Sequence, residues 1–285
     1  MKTMTVQEFL AAFPDDDACL AHLMAVRYGD SVTCPKCSKT GRFARLAKVP
    51  AYSCPSCGHH IHPMVGTPFA KSHIPLHKWF YAMYLFTTTR HGVPAKELER
   101  QLGVSYPTAW RMGHEIRKYM AKVDGDAPLD GHVEIDETWI GGKRKGMHGK
   151  SAMKYKTVVL GMLRRGGDLI TRIVPNDHKA TLIPHVWQHV TTGATVSTDE
   201  HPSYNRLYKL GYQHGRVNHA RDQWVSGIHH TNSLENFWSL LKRSIRGTHV
   251  HVSSKHMAKY LGEFEFRHNM RKYPGVMFDR LLMSF

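Results

Sequence analysis

The stretch "VEIDETWIGGKRKG", Val133–Gly146, decides the fold. It sets three carboxylates, Glu134, Asp136 and Glu137, in an otherwise apolar, β-branched segment, then follows them with two glycines and a run of cations. Read as a strand, its alternation puts Val133 and Ile135 on one face and Glu134 and Asp136 on the other. A second strand, "ATVSTD", ends in Asp199, with Glu200 next to it. A third acid lies in "HHTNSLENFWSLLKRSIRG", where Leu234, Phe237, Trp238, Leu241 and Ile245 form a helical stripe. Glu235 sits at the edge of that stripe, and Lys242, two turns later, shares the edge.

Three acids brought together need a reason. Two unit charges about 4 Å apart repel by roughly 4 kcal/mol at an effective dielectric near 20. Either protons or cations must relieve them, and hard oxygen ligands suit Mg²⁺ or Mn²⁺. Two such ions can activate an attacking oxygen and stabilise a leaving oxygen at phosphorus. The cations behind the strand fit that chemistry. From Lys143 to Lys156 there are six Lys or Arg and no acid, so Lys143, Arg144 and Lys145 are expected to grip phosphates in a loop beside the acids.

The whole chain agrees with an anionic partner. Its 285 residues carry a net charge of +16, which favours nucleic acid. There is no apolar run of membrane-spanning length and no signal-peptide pattern, so a cytoplasmic protein is expected, associated with the nucleoid when on DNA. Four of the five cysteines fall in "CPKC" (34–37) and "CPSC" (54–57), with sixteen residues between the pairs. Cys34, Cys37, Cys54 and Cys57 at that spacing suit a closed tetrahedral Zn²⁺ site of structural type. Cys19 reads as a core thiol, and His59, His60 and His62 as surface groups.

Segment by segment, residues 1–30 read as helical, 31–72 as hairpins of a zinc ribbon, and 73–123 as a helix-turn-helix region; 129–285 reads as an α/β domain. In "VPAKELERQLGVSYPTAWRMGHEIRKYM" (93–120), Gly103 permits the turn and Ser105 is the expected N-cap. Ala109, Met112 and Ile116 face inward, while Tyr106, Thr108, Arg111 and Lys118 are left for DNA. Strands are expected near 131–140, 156–164 and 168–174. Helices are expected over 179–190, 232–246 and 253–272. Trp139, Trp187 and Trp238 are assigned to the core, and no histidine is assigned to catalysis.

These linked blocks resemble the DDE transposases of bacterial insertion sequences, in the zinc-ribbon branch related to the Merlin elements. The likeness runs from about Phe13 to Arg271. It implies an RNase H-like catalytic domain, a mixed five-stranded sheet with flanking helices, preceded by a zinc ribbon and a helix-turn-helix. It implies Asp136, Asp199 and Glu235 as catalytic acids holding two Mg²⁺ or Mn²⁺, with Asn232 as the alternative third ligand. Lys242 matches a lysine that accompanies the third acid and contacts DNA. Glu263, Arg267 and Arg271 match a Glu–Arg–Arg face, the two arginines being expected on DNA. The implied substrates are double-stranded DNA, as terminal inverted repeats and target, bound by a homodimer or larger assembly. A non-catalytic DNA-binding derivative and a metal-dependent nuclease of the same fold are the rival functions.

Overall fold

The acidic stretch folds as strand β6, His132–Ile140, in the centre of a five-stranded mixed sheet. The protein is described by a computed structural model over residues 3–123, 127–141, 146 and 155–283; Lys143, Arg144 and Lys145 lie outside the described residues. The chain divides into two compact units, Met1–Tyr119 with Lys272–Phe285, and Met120–Arg271.

In the second unit, β6 pairs antiparallel with β7, Thr157–Arg164, and β7 with β8, Leu169–Val174. The other side is parallel: β6 to β9, Thr195–Thr198, and β9 to β10, Gln213–Arg216. Alternation along β6 divides its side chains as expected. Val133 and Ile135 enter a core under helix α6, Lys179–His189, with Leu182, Val186 and Val196. Ile140 joins the opposite core, built by helices α7, Asn232–Ser244, and α8, Ser254–Asn269, through Leu234, Phe237, Leu241 and Leu261. Trp187 departs from expectation. It is 71% exposed, because the buried stripe of α6 runs through Leu182, Val186 and His189.

The outer edge of β8 is closed by side chains. Asn269 accepts from the Leu169 amide and donates to the Leu169 carbonyl, at 2.8 and 2.9 Å, as a strand would. Glu265 takes the Thr171 amide and hydroxyl at 2.7 and 2.5 Å. Side chains thus occupy the Leu169 and Thr171 positions, where another strand could otherwise pair. The same helix accounts for Arg267, whose guanidinium is bound to the fully buried Glu263 at 2.9 Å and is one-tenth exposed. That places it in an internal ion pair and not on the DNA-facing surface expected of it. Arg271 donates to the Gly167 carbonyl at 3.1 Å.

The first unit starts with helices α1, Val6–Ala12, and α2, Asp16–Tyr28. Next come two cysteine hairpins, β1–β2 (Val32–Thr33, Thr40–Gly41) and β4–β5 (Tyr52–Ser53, His60–Ile61), with β3, Ala44–Arg45, beside β4. Helices α3, Leu76–Thr88, α4, Ala95–Leu102, and α5, beginning at Tyr106, follow. Gly103 ends α4 in the left-handed conformation, as the turn requires. Ala109, Met112 and Ile116 are fully buried. Gly113 allows α5 to close on α4, since a Cβ there would lie 3.3 Å from Leu98 Cδ1.

The C-terminal boundary differs from the expected 129–285 domain. Helix α9, Met277–Leu282, belongs to the first unit, where Phe278 packs on Phe9, Phe13 and Phe80 with ring centroids 5.5–6.0 Å apart. Its six residues are too short for a periodic signal, and their partners are distant in sequence. Phe278→Ala is expected to destabilise the first unit by about 3–5 kcal/mol, measured by denaturant unfolding. An unfolding midpoint equal to wild type would show that α9 is not part of that core.

Candidate active site and metal centre

Strand β9 meets β6 in parallel, with Glu134 opposite Ser197. Asp199 follows β9 directly, and its charge acts on both Asp136 and Glu137. Glu137 and then Asp199 repel the Asp136 carboxylate. Burial and these neighbours push the Asp136 carboxyl up to about 8. Glu137 is raised to about 7, mainly by burial. Tyr204 donates to Glu137 Oε2 at 2.6 Å. His201 lies between Glu137 and Asp177, at 3.6 and 3.5 Å. Asp199 accepts the His201 amide at 2.9 Å, which fixes the turn after β9.

Helix α7 lies unusually close to the sheet. Gly161 is directly opposite Asp136, and a Cβ there would lie 2.5 Å from the Trp238 ring and 2.9 Å from Leu234. The missing side chain lets the indole reach over β7, where its N–H donates to Asp136 Oδ2 at 3.0 Å. Trp238 is therefore a core residue, as expected, and also a partner of the first acid. Its position one turn after Glu235 was the available signal; the contact across the sheet was not legible.

Glu235 stands in the first turn of α7, its carboxylate accepting from the Thr231 hydroxyl at 2.7 Å. Asn232 is exposed at the start of the helix. Among the described residues, the one group of three or more His, Cys, Asp or Glu with donor atoms all within 4.8 Å of each other is the cysteine cluster. The three acids are not gathered that tightly: Asp199 acts on Asp136 through its charge, and Glu235 is carried by the first turn of α7. Lys242 is partly buried and feels the charge of Asp136.

Glu134 has a different task. Fully buried, it accepts from the amides of Ser233 and Leu234 at 2.9 and 3.1 Å, from the Ser233 hydroxyl at 3.0 Å, and from Arg165 at 2.8 Å. It thus caps the amino end of α7 with negative charge. Arg165 also holds the Ile228 and His230 carbonyls, at 2.6 and 3.0 Å. Ser197 bridges His132 and His229 at 2.7 and 2.9 Å. Gly215 admits the His229 ring, which would stand 2.2 Å from a Cβ. The histidines left unassigned thus fasten the segment before α7 to the sheet.

In the hairpins, Cys34 and Cys57 sulfurs lie 3.6 Å apart and Cys37 and Cys54 sulfurs 3.8 Å. Each turn places a left-handed residue after its second cysteine, Ser38 and Gly58. Four thiols so converged fit tetrahedral Zn²⁺. On α5, after the Gly103 turn, Tyr106 and Arg111 are exposed and Thr108 partly so. Trp110, 37% exposed and stacked on His114, was not anticipated there.

With this geometry established, the comparisons with known proteins are decisive. Residues 128–269 match the model of the ISXO2-like transposase domain, and residues 14–60 that of the transposase zinc-ribbon domain. The chain belongs to the zinc-ribbon transposases of insertion sequences. It is 26% identical over 277 residues to a protein of the transposable element ISH50 of Halobacterium salinarum, covering 90% of this chain and 92% of that one. It is 32% identical over 99 residues to a transposase-like protein of Haemophilus influenzae, covering 35% of this transposase and 79% of the relative. Among the described residues, no helix is long and apolar enough to cross a membrane.

The raised Asp136 carboxyl sets the sign of a stability effect. Native protein holds that proton more tightly than unfolded chain, so it loses stability as pH rises from about 4 toward 8. Asp136→Asn is expected to raise the melting temperature of protein without added divalent cation, by a margin that grows across that window. Melting curves at pH 5 and pH 8 check it; a margin that shrinks at pH 8 would contradict the placement of Asp136.

Proposed function

We propose that this transposase cuts its element's terminal inverted repeats and joins the freed ends to target DNA, using Asp136, Asp199 and Glu235. The observation that supports this reading is the buried Asp136 carboxyl, repelled by Glu137 and Asp199, where cations would relieve the charge. The strand order β10-β9-β6-β7-β8, with parallel pairing on one side of β6 and antiparallel on the other, fits an RNase H-like domain. Mg²⁺ or Mn²⁺ held by these acids, two per site, supplies the charge that favours an oxygen nucleophile and an oxygen leaving group at phosphorus.

The chain's own residues do the rest. Trp238 fixes Oδ2 of Asp136 and so orients the other carboxylate oxygen. The cap from Glu134 sets the start of α7 and with it Glu235. Water attacks phosphorus at the transposon end and the 3′ oxygen leaves as a 3′-OH; that hydroxyl then attacks a target phosphodiester, whose own 3′ oxygen leaves with the released proton. Lys242 binds a phosphate beside the acids. Tyr106, Thr108 and Arg111, with Trp110, contact the terminal repeat from α5, and the four cysteines hold structural Zn²⁺. Joining two ends to one target calls for a homodimer or larger assembly on DNA.

Incubation of labelled transposon-end duplex with a plasmid target and Mg²⁺ tests the reading. Wild type is expected to give joined products, and Asp136→Ala, Asp199→Ala and Glu235→Ala none. Cutting without joining would make the protein a nuclease. Binding without cutting would make it a non-catalytic derivative. Activity in Glu235→Ala but not in Asn232→Ala would move the third ligand to Asn232. Trp238→Phe keeps the packing and removes the N–H. It is expected to lower Mn²⁺ affinity by about 10–100-fold, read by titration of the metal; unchanged affinity would reduce Trp238 to packing.

A further inference from the structure

Helix α7 ends in a turn of π-helix, Ile245–His249. Over this junction Lys242, Arg243 and Arg246, with Ser239 and Gly247, line an open groove of about 530 Å³. Ser239, Arg243 and Arg246, at spacings of four, three and seven residues, share one helical side, and Lys242 flanks it. Arg243 and Arg246 are exposed, and Lys156, just before β7, acts electrostatically on Lys242 together with Arg246. Among the described residues, no carboxylate is ion-paired with Arg243, Arg246 or Lys156. Like charges have thus been drawn together with Asp136 acting on Lys242 alone among them, an arrangement that a further anion relieves. The groove opens beside the acids, since Lys242 also feels Asp136.

We propose that this groove binds consecutive backbone phosphates of the DNA strand next to the phosphodiester that reacts. The proposal rests on the reading of Asp136 and Asp199 given above, and adds Ser239, Arg243 and Arg246 to the DNA-binding surface. Extent argues for a polymer over a single ion. Ser239 to Arg246 spans roughly 10 Å along the helix, and one strand presents a phosphate about every 3.4 Å. The arginines offer forked donors to phosphate oxygens. The Ser239 hydroxyl adds a neutral donor, and Gly247 leaves the groove floor without a side chain.

The test is duplex DNA binding by full-length protein as a function of salt, without added divalent cation. Arg243→Ala/Arg246→Ala is expected to make the slope of log K against log salt shallower by about 0.9 for each phosphate no longer neutralised. Lys179→Ala/Lys209→Ala removes two exposed charges elsewhere on the same unit and is expected to leave the slope unchanged. An unchanged slope in the arginine variant, or an equal change in the lysine control, overturns the proposal. So does inorganic phosphate that, at matched ionic strength and phosphorus concentration, shields the arginines from phenylglyoxal as well as duplex does. A separate cleavage assay keeps the two readings apart. Wild type that binds through the arginines but never cuts would refute the catalytic assignment alone. Normal cutting with an arginine-independent slope would refute the groove alone.

Discussion

The indole of Trp238 resting on Gly161 is the contact on which the site depends. It lets α7 approach the sheet closely enough for one N–H to reach Asp136. A single packing decision thereby couples the strand that carries the first acid to the helix that carries Glu235. Glu134 secures the same helix from its other end by capping it. Two neighbours of Asp136 in sequence and pairing, one acidic and one without a side chain, thus set the height and start of α7. The strand bearing Asp136 also builds the frame around it.

Much of this was legible because the signals were local. Alternation in Val133–Ile140 gave the strand and its faces, and the apolar stripe from Leu234 to Ile245 gave the helix. Paired CxxC spacing gave the cysteine cluster, since tetrahedral sulfur coordination asks for two tight turns and little else. Other features lacked a local signature. Strand β10 reads "QHGR", with no apolar alternation, and exists because β9 offers it a parallel partner. Arg267 has the charge of a DNA contact, but its buried partner Glu263 claims it. Trp187 shares a helix with core residues, yet it projects from the other side of that helix. The histidines around Ser197 gain their meaning only when β6, β9 and the segment before α7 come together.

The site also shows how a fold can keep like charges close. Asp136 is held by the register of β6 with β7, which does not yield to repulsion from Glu137 and Asp199. The arginines of the groove are held by helical periodicity, which is equally indifferent to it. Negative and positive clusters therefore persist side by side, each imposed by secondary structure.

The return of α9 to the first unit has a consequence for the order of events at the ribosome. Residues 120–271 are contiguous and are all synthesised before Phe278. The aromatic core of the zinc-ribbon unit must wait for Phe278, one of its own rings, to be synthesised. The unit of residues 120–271 therefore has its whole chain before the zinc-ribbon unit can complete its core.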